Sequence, residues 1–295
     1  MPQRNVILST ETVDGGTIPR REGSGVGPAL VRSQFCPPHA PPTCEYAWLG
    51  RVGYHEAREL QQRLARERAA GNRPDTLLLL EHPPVYTTGR RDASANLRLP
   101  PELLGALLVE TDRGGDITFH GPGQLVAYPT IDLRAAQLGV VDYVRHLEEV
   151  VIRTLRSYRI ESATECGLTG VWVHPTPESR ARGSGIHPGP ERASTPAFPN
   201  PPTKIAAIGV RVSRPGGAAG GWITTHGLAL NVSVDLSWFE RIVPCGIVDR
   251  GVTSIERLLV EAPLMAGVAA RLAQQFGAVF GRSMIPDFAP PPIPV

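Results

Sequence analysis

The stretch Thr76-Leu77-Leu78-Leu79-Leu80-Glu81, closed by His82-Pro83-Pro84, reads as a buried strand. Four consecutive leucines leave no polar side, the run has strand length, and the two prolines end it. Just upstream, residues 54–70 carry Ala57, Leu60 and Leu64 at helical spacing among charges, with Gly71 as the stop. Residues 45–52 form a first strand, with Tyr46 and Trp48 turned inward. Downstream, residues 107–111 form a short strand, and Arg113, Gly114 and Gly115 a turn. Residues 116–120 and 124–132 read as two strands joined through Gly121, Pro122 and Gly123 in a hairpin-like corner. The strongest helical pattern spans 141–158, where Val144, Leu147, Val151 and Leu155 mark one face. Strands follow at 168–174, 204–213 and 225–235. Residues 237–247 turn across the surface, and 263–280 form a last amphipathic helix. Strands and helices mix without strict βαβ alternation, so the expected fold class is α+β.

The chain has 295 residues, of which 41% are hydrophobic and 20% charged, enough for one sizeable core. Residues 1–42 are rich in Gly, Pro and polar types and predict a poorly ordered tail. They contain no apolar segment of the kind a secretory signal needs. Residues 175–203 are dense in Pro, Gly, Ser and Arg and predict a solvated insertion. The end of the chain is Pro-rich and predicts a second tail, which places one domain at 43–283 and the tail at 284–295. A net charge of +2 without a Lys/Arg run predicts no nucleic-acid partner, and no apolar run approaches a membrane span.

Cys36, Cys44, Cys166 and Cys245 are scattered, without a CxxC pair or a His cluster, so neither a disulfide framework nor a metal site is expected. A reducing, cytoplasmic setting follows. Cys36 and Cys44 are assigned to the tail. Lys204 is the only lysine among 30 basic residues. Coding bias toward arginine accounts for the rest. Unlike arginine, though, a lysine can exchange its proton, so the one exception marks a place for amine chemistry.

Three stretches concentrate chemistry. The first is Arg113-Gly114-Gly115-Asp116-Ile117-Thr118-Phe119-His120, followed by Gly121-Pro122-Gly123-Gln124. Its glycines let a backbone approach a ligand, although plain turns use the same residues. The second pairs Lys204-Ile205-Ala206-Ala207-Ile208-Gly209 with His226-Gly227-Leu228-Ala229-Leu230-Asn231, small-residue strands that leave room for something to lie against them. A lysine opening such a strand either snorkels to solvent or takes part in chemistry. The third is Pro244-Cys245-Gly246, where a turn exposes a sulfur; a free cysteine is otherwise often a small core residue.

In this order, the three stretches resemble the lipoyl(octanoyl) transferase family, and Leu80-Glu81-His82-Pro83-Pro84 is similar to that family's early strand-end motif. The likeness runs over about residues 45–280, with 175–203 left out. It implies a catalytic domain like that of biotin and lipoate protein ligases, a mixed β-sheet with flanking helices. It implies Cys245 as acyl-thioester nucleophile and Lys204 as the lysine that lowers the thiol pKa. It implies substrate-binding segments at Arg113 to His120, Ala207-Ile208-Gly209 and Gly227-Leu228-Ala229. The implied donor is octanoyl-acyl carrier protein. The implied acceptors are lipoyl domains of 2-oxoacid dehydrogenase E2 subunits and the glycine cleavage H protein. No cofactor and no ATP are expected, because thioester-to-thioester exchange is nearly neutral and amide formation is downhill. The chain departs from the family in the 175–203 segment and in a longer link between Val212 and His226.

Rival readings are an ATP-dependent lipoate or biotin ligase on the same fold, a non-catalytic lipoyl-domain-binding protein, and a cysteine hydrolase. The ligase needs no nucleophilic cysteine, and Gly89-Arg90-Arg91-Asp92 is a poor likeness to the glycine-arginine loop of biotin ligases. Retention of both Cys245 and Lys204 weighs against the binding protein.

Overall fold

The computed structural model describes residues 40–90, 94–174, 201–217, 221–259, 261–286 and 289. Cys36, most of the 175–203 segment and most of the two expected tails lie outside these residues. Strands are β1 (Thr43–Arg51), β2 (Asp75–Glu81), β3 (Val85–Thr88), β4 (Leu107–Glu110), β5 (Thr118–His120) and β6 (Gln124–Thr130), then β7 (Ala163–Glu165), β8 (Leu168–Val173), β9 (Thr203–Ser213), β10 (Ile223–Asn231) and β11 (Ser283–Pro286). Helices are α1 (Tyr54–Ala69), α2 (Val140–Arg156), the short α3 (Ile255–Leu258) and α4 (Met265–Phe280).

The main sheet runs β11-β1-β2-β6-β10-β9-β8-β7, and a small sheet runs β4-β3-β5. The main sheet is mixed: β11, β1 and β2 are parallel, and the strands from β6 onward pair antiparallel. This is the expected α+β class with a mixed sheet and flanking helices.

The leucine run explains the layers. Strand side chains alternate between faces. Leu77 and Leu79 therefore join Leu147 and Leu155 of α2 and Leu272 and Phe276 of α4 in one core. Leu78 and Leu80 turn the other way and meet Leu60 and Leu64 of α1. A strand covered on both faces carries no polar alternation. Each buried leucine contributes about 2 kcal/mol. A further core under the small sheet gathers Tyr86, Leu104, Phe119, Leu236, Phe239 and Ile242.

Four expectations change. β5 and β6 do not pair as a hairpin. β5 pairs with β3, and β6 lies between β2 and β10, so the Gly121 to Gly123 corner carries the chain from one sheet to the other. The 237–247 segment is not purely superficial, because Phe239 and Ile242 plug the core of the small sheet. Cys44 is no tail residue: it sits fully buried in β1 within the main core. Finally, β11 reaches past residue 283 and pairs in parallel with β1. β3, β7 and β11 are three or four residues long, too short to print a periodic pattern.

Candidate active site

On the same face of the main sheet as α1, the start of that helix, β5 and the turn after β10 enclose a narrow cavity. Its apolar wall is Val126 of β6, Ala207 and Ile208 of β9, and Leu228 and Ala229 of β10. Arg113, Gly115, Asp116, Thr118 and Cys245 line the side toward the small sheet, and Tyr54, Tyr128, His120 and His226 add polar edges.

Two glycines let this wall close. β9 and β10 pair Gly209 with Gly227. A Cβ on Gly227 would lie 2.1 Å from the Ala127 carbonyl oxygen. One on Gly209 would lie 2.9 Å from the Gly114 oxygen and 3.1 Å from Arg113 Cδ. Any side chain at Gly209 would therefore push against the segment that seats Arg113.

Cys245 occupies a short Pro244–Gly246 turn with φ +57° and ψ +18°, the left-handed region that non-glycine residues rarely visit. The turn is pinned. Cys245 N–H donates to Ile117 O at 2.9 Å, Gly246 N–H to Val243 O at 3.0 Å, and Ile247 N–H to Pro244 O at 3.1 Å. Asp116 sits beneath it, its Oδ2 accepting from Asn96 Nδ2 at 2.8 Å. The sulfur is half-buried and lines the cavity. With the N–H groups of the turn already engaged, the turn holds no spare backbone donor for a developing oxyanion.

Arg113 lines the same cavity as Cys245. Its Nη2 donates to Thr87 O and Oγ1 at 2.5 and 2.9 Å, and its Nη1 to Gly114 O at 3.0 Å. Nε is buried without a hydrogen-bond partner. Burial lowers the Arg113 pKa from its ordinary value. Among the described residues no carboxylate comes within ion-pair distance of Arg113.

A neutral histidine network borders the cavity. His82 Nδ1–H donates to Val52 O at 2.7 Å, and Nε2 accepts from the Tyr128 hydroxyl at 2.8 Å. Burial pushes the His82 pKa down to about 4. His120 Nδ1–H donates to Gln124 Oε1 at 2.7 Å, and burial followed by repulsion from His82 brings its pKa to about 3. His226, with φ +58°, donates from Nε2 to Asp112 Oδ1 at 2.8 Å. Burial, then the positive charges of Arg113, Arg58 and Arg211, lowers its pKa to about 3. Asp112 does not offset this, since it also contacts Arg211 and Arg58.

The expected binding segments divide. Ala207, Ile208, Gly209, Gly227, Leu228 and Ala229 all line the cavity. From the 113–120 run, Arg113, Gly115, Asp116, Thr118 and His120 line it, whereas Ile117 and Phe119 point into the core of the small sheet. Strand alternation dictates that split. Gly114 instead donates its N–H to Val210 O at 2.9 Å. Lys204 does not line the cavity. It is buried, with Nζ 4.7 Å from the centre of the Trp172 ring and its stem against Gly170. Its main chain bonds Gly251 O and Thr253 N, in the segment that leaves the Cys245 turn.

Tyr54, Val126, Tyr128 and His226 were not among the expected site residues. His226 stands inside the quoted His226-Gly227 motif, and alternation from Gln124 places Val126 and Tyr128 on one face, so both signals were present. Tyr54, the first residue of a helix, gave none.

The model of the lipoyl protein ligase A/B catalytic domain matches residues 53–277. An octanoyltransferase from Rubrobacter xylanophilus is 48% identical over 237 residues, covering 79% of this chain and 91% of its own. One from Chloroflexus aggregans is 47% identical over 235 residues, covering 79% and 92%. The chain belongs to the octanoyltransferase family. Octanoyltransferases are acyltransferases. A solved bipartite lipoate protein ligase from Thermoplasma acidophilum, studied with its E2 lipoyl domain, superposes with a TM-score of 0.56 at 14% identity, covering 83% of this chain and 87% of that one. That likeness establishes a shared fold. No helix among the described residues is long and apolar enough to cross a membrane, and none of their His, Cys, Asp or Glu side chains group in threes to hold a metal.

Proposed function

We propose that this octanoyltransferase works through a thioester on Cys245, taking octanoate from acyl carrier protein and passing it to a lysine of a lipoyl domain. The observation that carries this reading is a cysteine held in a left-handed turn with its sulfur in the wall of an apolar cavity. Strained backbone at a cavity edge is a frequent mark of a reacting group.

In the first half-reaction the Cys245 sulfur attacks the carbonyl carbon of the donor thioester. A new C–S bond forms, the old one breaks, and the Cys245 proton leaves with the carrier's thiol. Arg113, whose Nε–H has no protein partner, meets the negative charge that builds at the reacting centre. In the second half-reaction the acceptor amine attacks the enzyme thioester, a C–N bond forms, and the sulfur departs. The amine must shed a proton, and Lys204 is assigned to take it. Three observations support that assignment. Lys204 is the only lysine, it is buried, and it is tied through its main chain to the segment leaving the Cys245 turn. The role requires Nζ to leave the Trp172 face.

The acceptors in this reading are lipoyl domains of 2-oxoacid dehydrogenase E2 subunits and the glycine cleavage H protein, and the setting is the cytoplasm. Intact-mass measurement after incubation with octanoyl-acyl carrier protein tests the proposal. An octanoyl adduct is expected on the native chain and not on Cys245→Ala. Acceptor modification that needs free octanoate and ATP, with no adduct, would overturn it in favour of a ligase.

A further inference from the structure

A second groove of about 900 Å³ lies between α1 and the outer part of β9 and β10. Arg58 and Arg66 line it from the helix, and Arg211 and Arg214 from the end of β9. Asp112 is the only carboxylate in its lining, leaving an excess of three positive charges, four arginines against one aspartate. Arg58 Nε is buried there with no hydrogen-bond partner. Arg214 lies over the Trp222 ring at 4.3 Å, which keeps its guanidinium plane extended along the surface. His226 stands in the wall of both this groove and the reaction cavity, so the two are contiguous across one side chain.

Arg58 and Arg211 share Asp112, and among the described residues the groove lining offers no other carboxylate for Arg66 and Arg214. At close range they repel, and an anion is what relieves the repulsion. Guanidinium forks suit phosphate oxygens better than any other common anion.

We propose that this groove binds the phosphate of the acyl donor's prosthetic arm. The inference rests on the carrier-protein donor reading above. A carrier protein presents its acyl group as a thioester at one end of a pantetheine arm, and a phosphodiester closes the other end. The acyl chain, sulfur and phosphate are thus linked covalently, and the basic groove adjoins, at His226, the apolar cavity that Cys245 lines. The phosphate holds the arm in register while the acyl group reacts, and it adds affinity that does not depend on chain length.

The test compares octanoyl-phosphopantetheine with octanoyl-pantetheine as donors for the full chain. The native protein is expected to show a KM about tenfold or more lower for the phosphorylated donor, as one charge-assisted contact set provides. The preference should shrink at about 0.5 M salt. In Arg66→Gln/Arg214→Gln, two exposed positions, the ratio of the two KM values should fall toward one. Equal KM values in the native protein would overturn the proposal. A variant that loses rate on octanoyl-acyl carrier protein while keeping the native phosphopantetheine preference would overturn it too, assigning the groove to acidic side chains of the carrier. No turnover with any of the three thioesters would instead sink the donor reading itself.

Discussion

Cys44 and Cys245 carry the same thiol in opposite settings. Cys44 lies in β1 with no exposed surface, packed in the main core, and burial followed by the charge of Asp75 pushes its pKa far above the ordinary range. Cys245 stands half-buried in a left-handed turn and lines the cavity together with Arg113. A thiol in the first place is sealed from solvent and from any electrophile; one in the second stands half-exposed at the edge of a cavity. In the proposed mechanism, reactivity belongs to the position and not to the residue.

The sharpest way to break this comparison is to remove the Cys245 sulfur. Cys245→Ser should reduce transfer by roughly four orders of magnitude, because a serine hydroxyl is far less acidic and Arg113 cannot remove its proton. Native turnover by this variant, followed as acceptor mass gain, would return Cys245 to the class of plain packing residues. Lys204→Arg comes next. Arginine keeps the charge but does not accept a proton, so formation of the Cys245 adduct should partly survive while transfer to acceptor falls about 10²- to 10⁴-fold. Separate rates for the two half-reactions check this, and a fully active variant would remove Lys204 from the chemistry.

Ala229→Leu probes the cavity on which the contrast depends. A longer side chain in the apolar wall should shift the preferred donor toward shorter acyl chains, changing the octanoyl-to-hexanoyl ratio of kcat/KM by about 10-fold or more. Iodoacetamide labelling of Cys245 should remain. An unchanged chain-length profile would place the acyl groove elsewhere. Gly209 is a poorer probe, since a Cβ there already presses on Arg113 and Gly114.

The histidine network predicts an acid limb. His82, His120 and His226 have folded pKa values of about 4, 3 and 3, below the unfolded value of about 6.5. The unfolded chain therefore binds more protons in that window, and stability should be full above about pH 6.5 and fall as pH drops toward 4. Urea midpoints across this range test it. A flat profile would mean that water or a structural change lets these rings protonate. Cys44→Ser gives the smallest effect. It should cost about 1 to 3 kcal/mol by leaving a hydroxyl in an apolar core, with specific activity of the folded protein unchanged. Activity lost beyond the unfolded fraction would tie β1 to the site.

Much of this was legible in the linear chain. The leucine run, the helical faces at 54–70 and 141–158, and the order of the Arg113, Lys204 and Cys245 motifs are local patterns, and local patterns survive being written out as letters. What failed was non-local. Nothing around Cys44 separates a tail from a strand until β2 and β11 are seen pairing on either side of it. The glycine corner after His120 looks the same whether its strands pair or part.

By itself the sequence singled out the candidates for chemistry: one lysine, one cysteine in a turn, and small residues on two strands. Those are properties of residue type and near neighbours. Only the tertiary structure decided which of them share a cavity. It set Ile117 and Phe119 aside, added Tyr54, Val126, Tyr128 and His226, and lined the cavity with Arg113 while Lys204 lies against Trp172. Side-chain direction depends on the sheet a strand joins and on what covers its face, and both are set by partners many residues away.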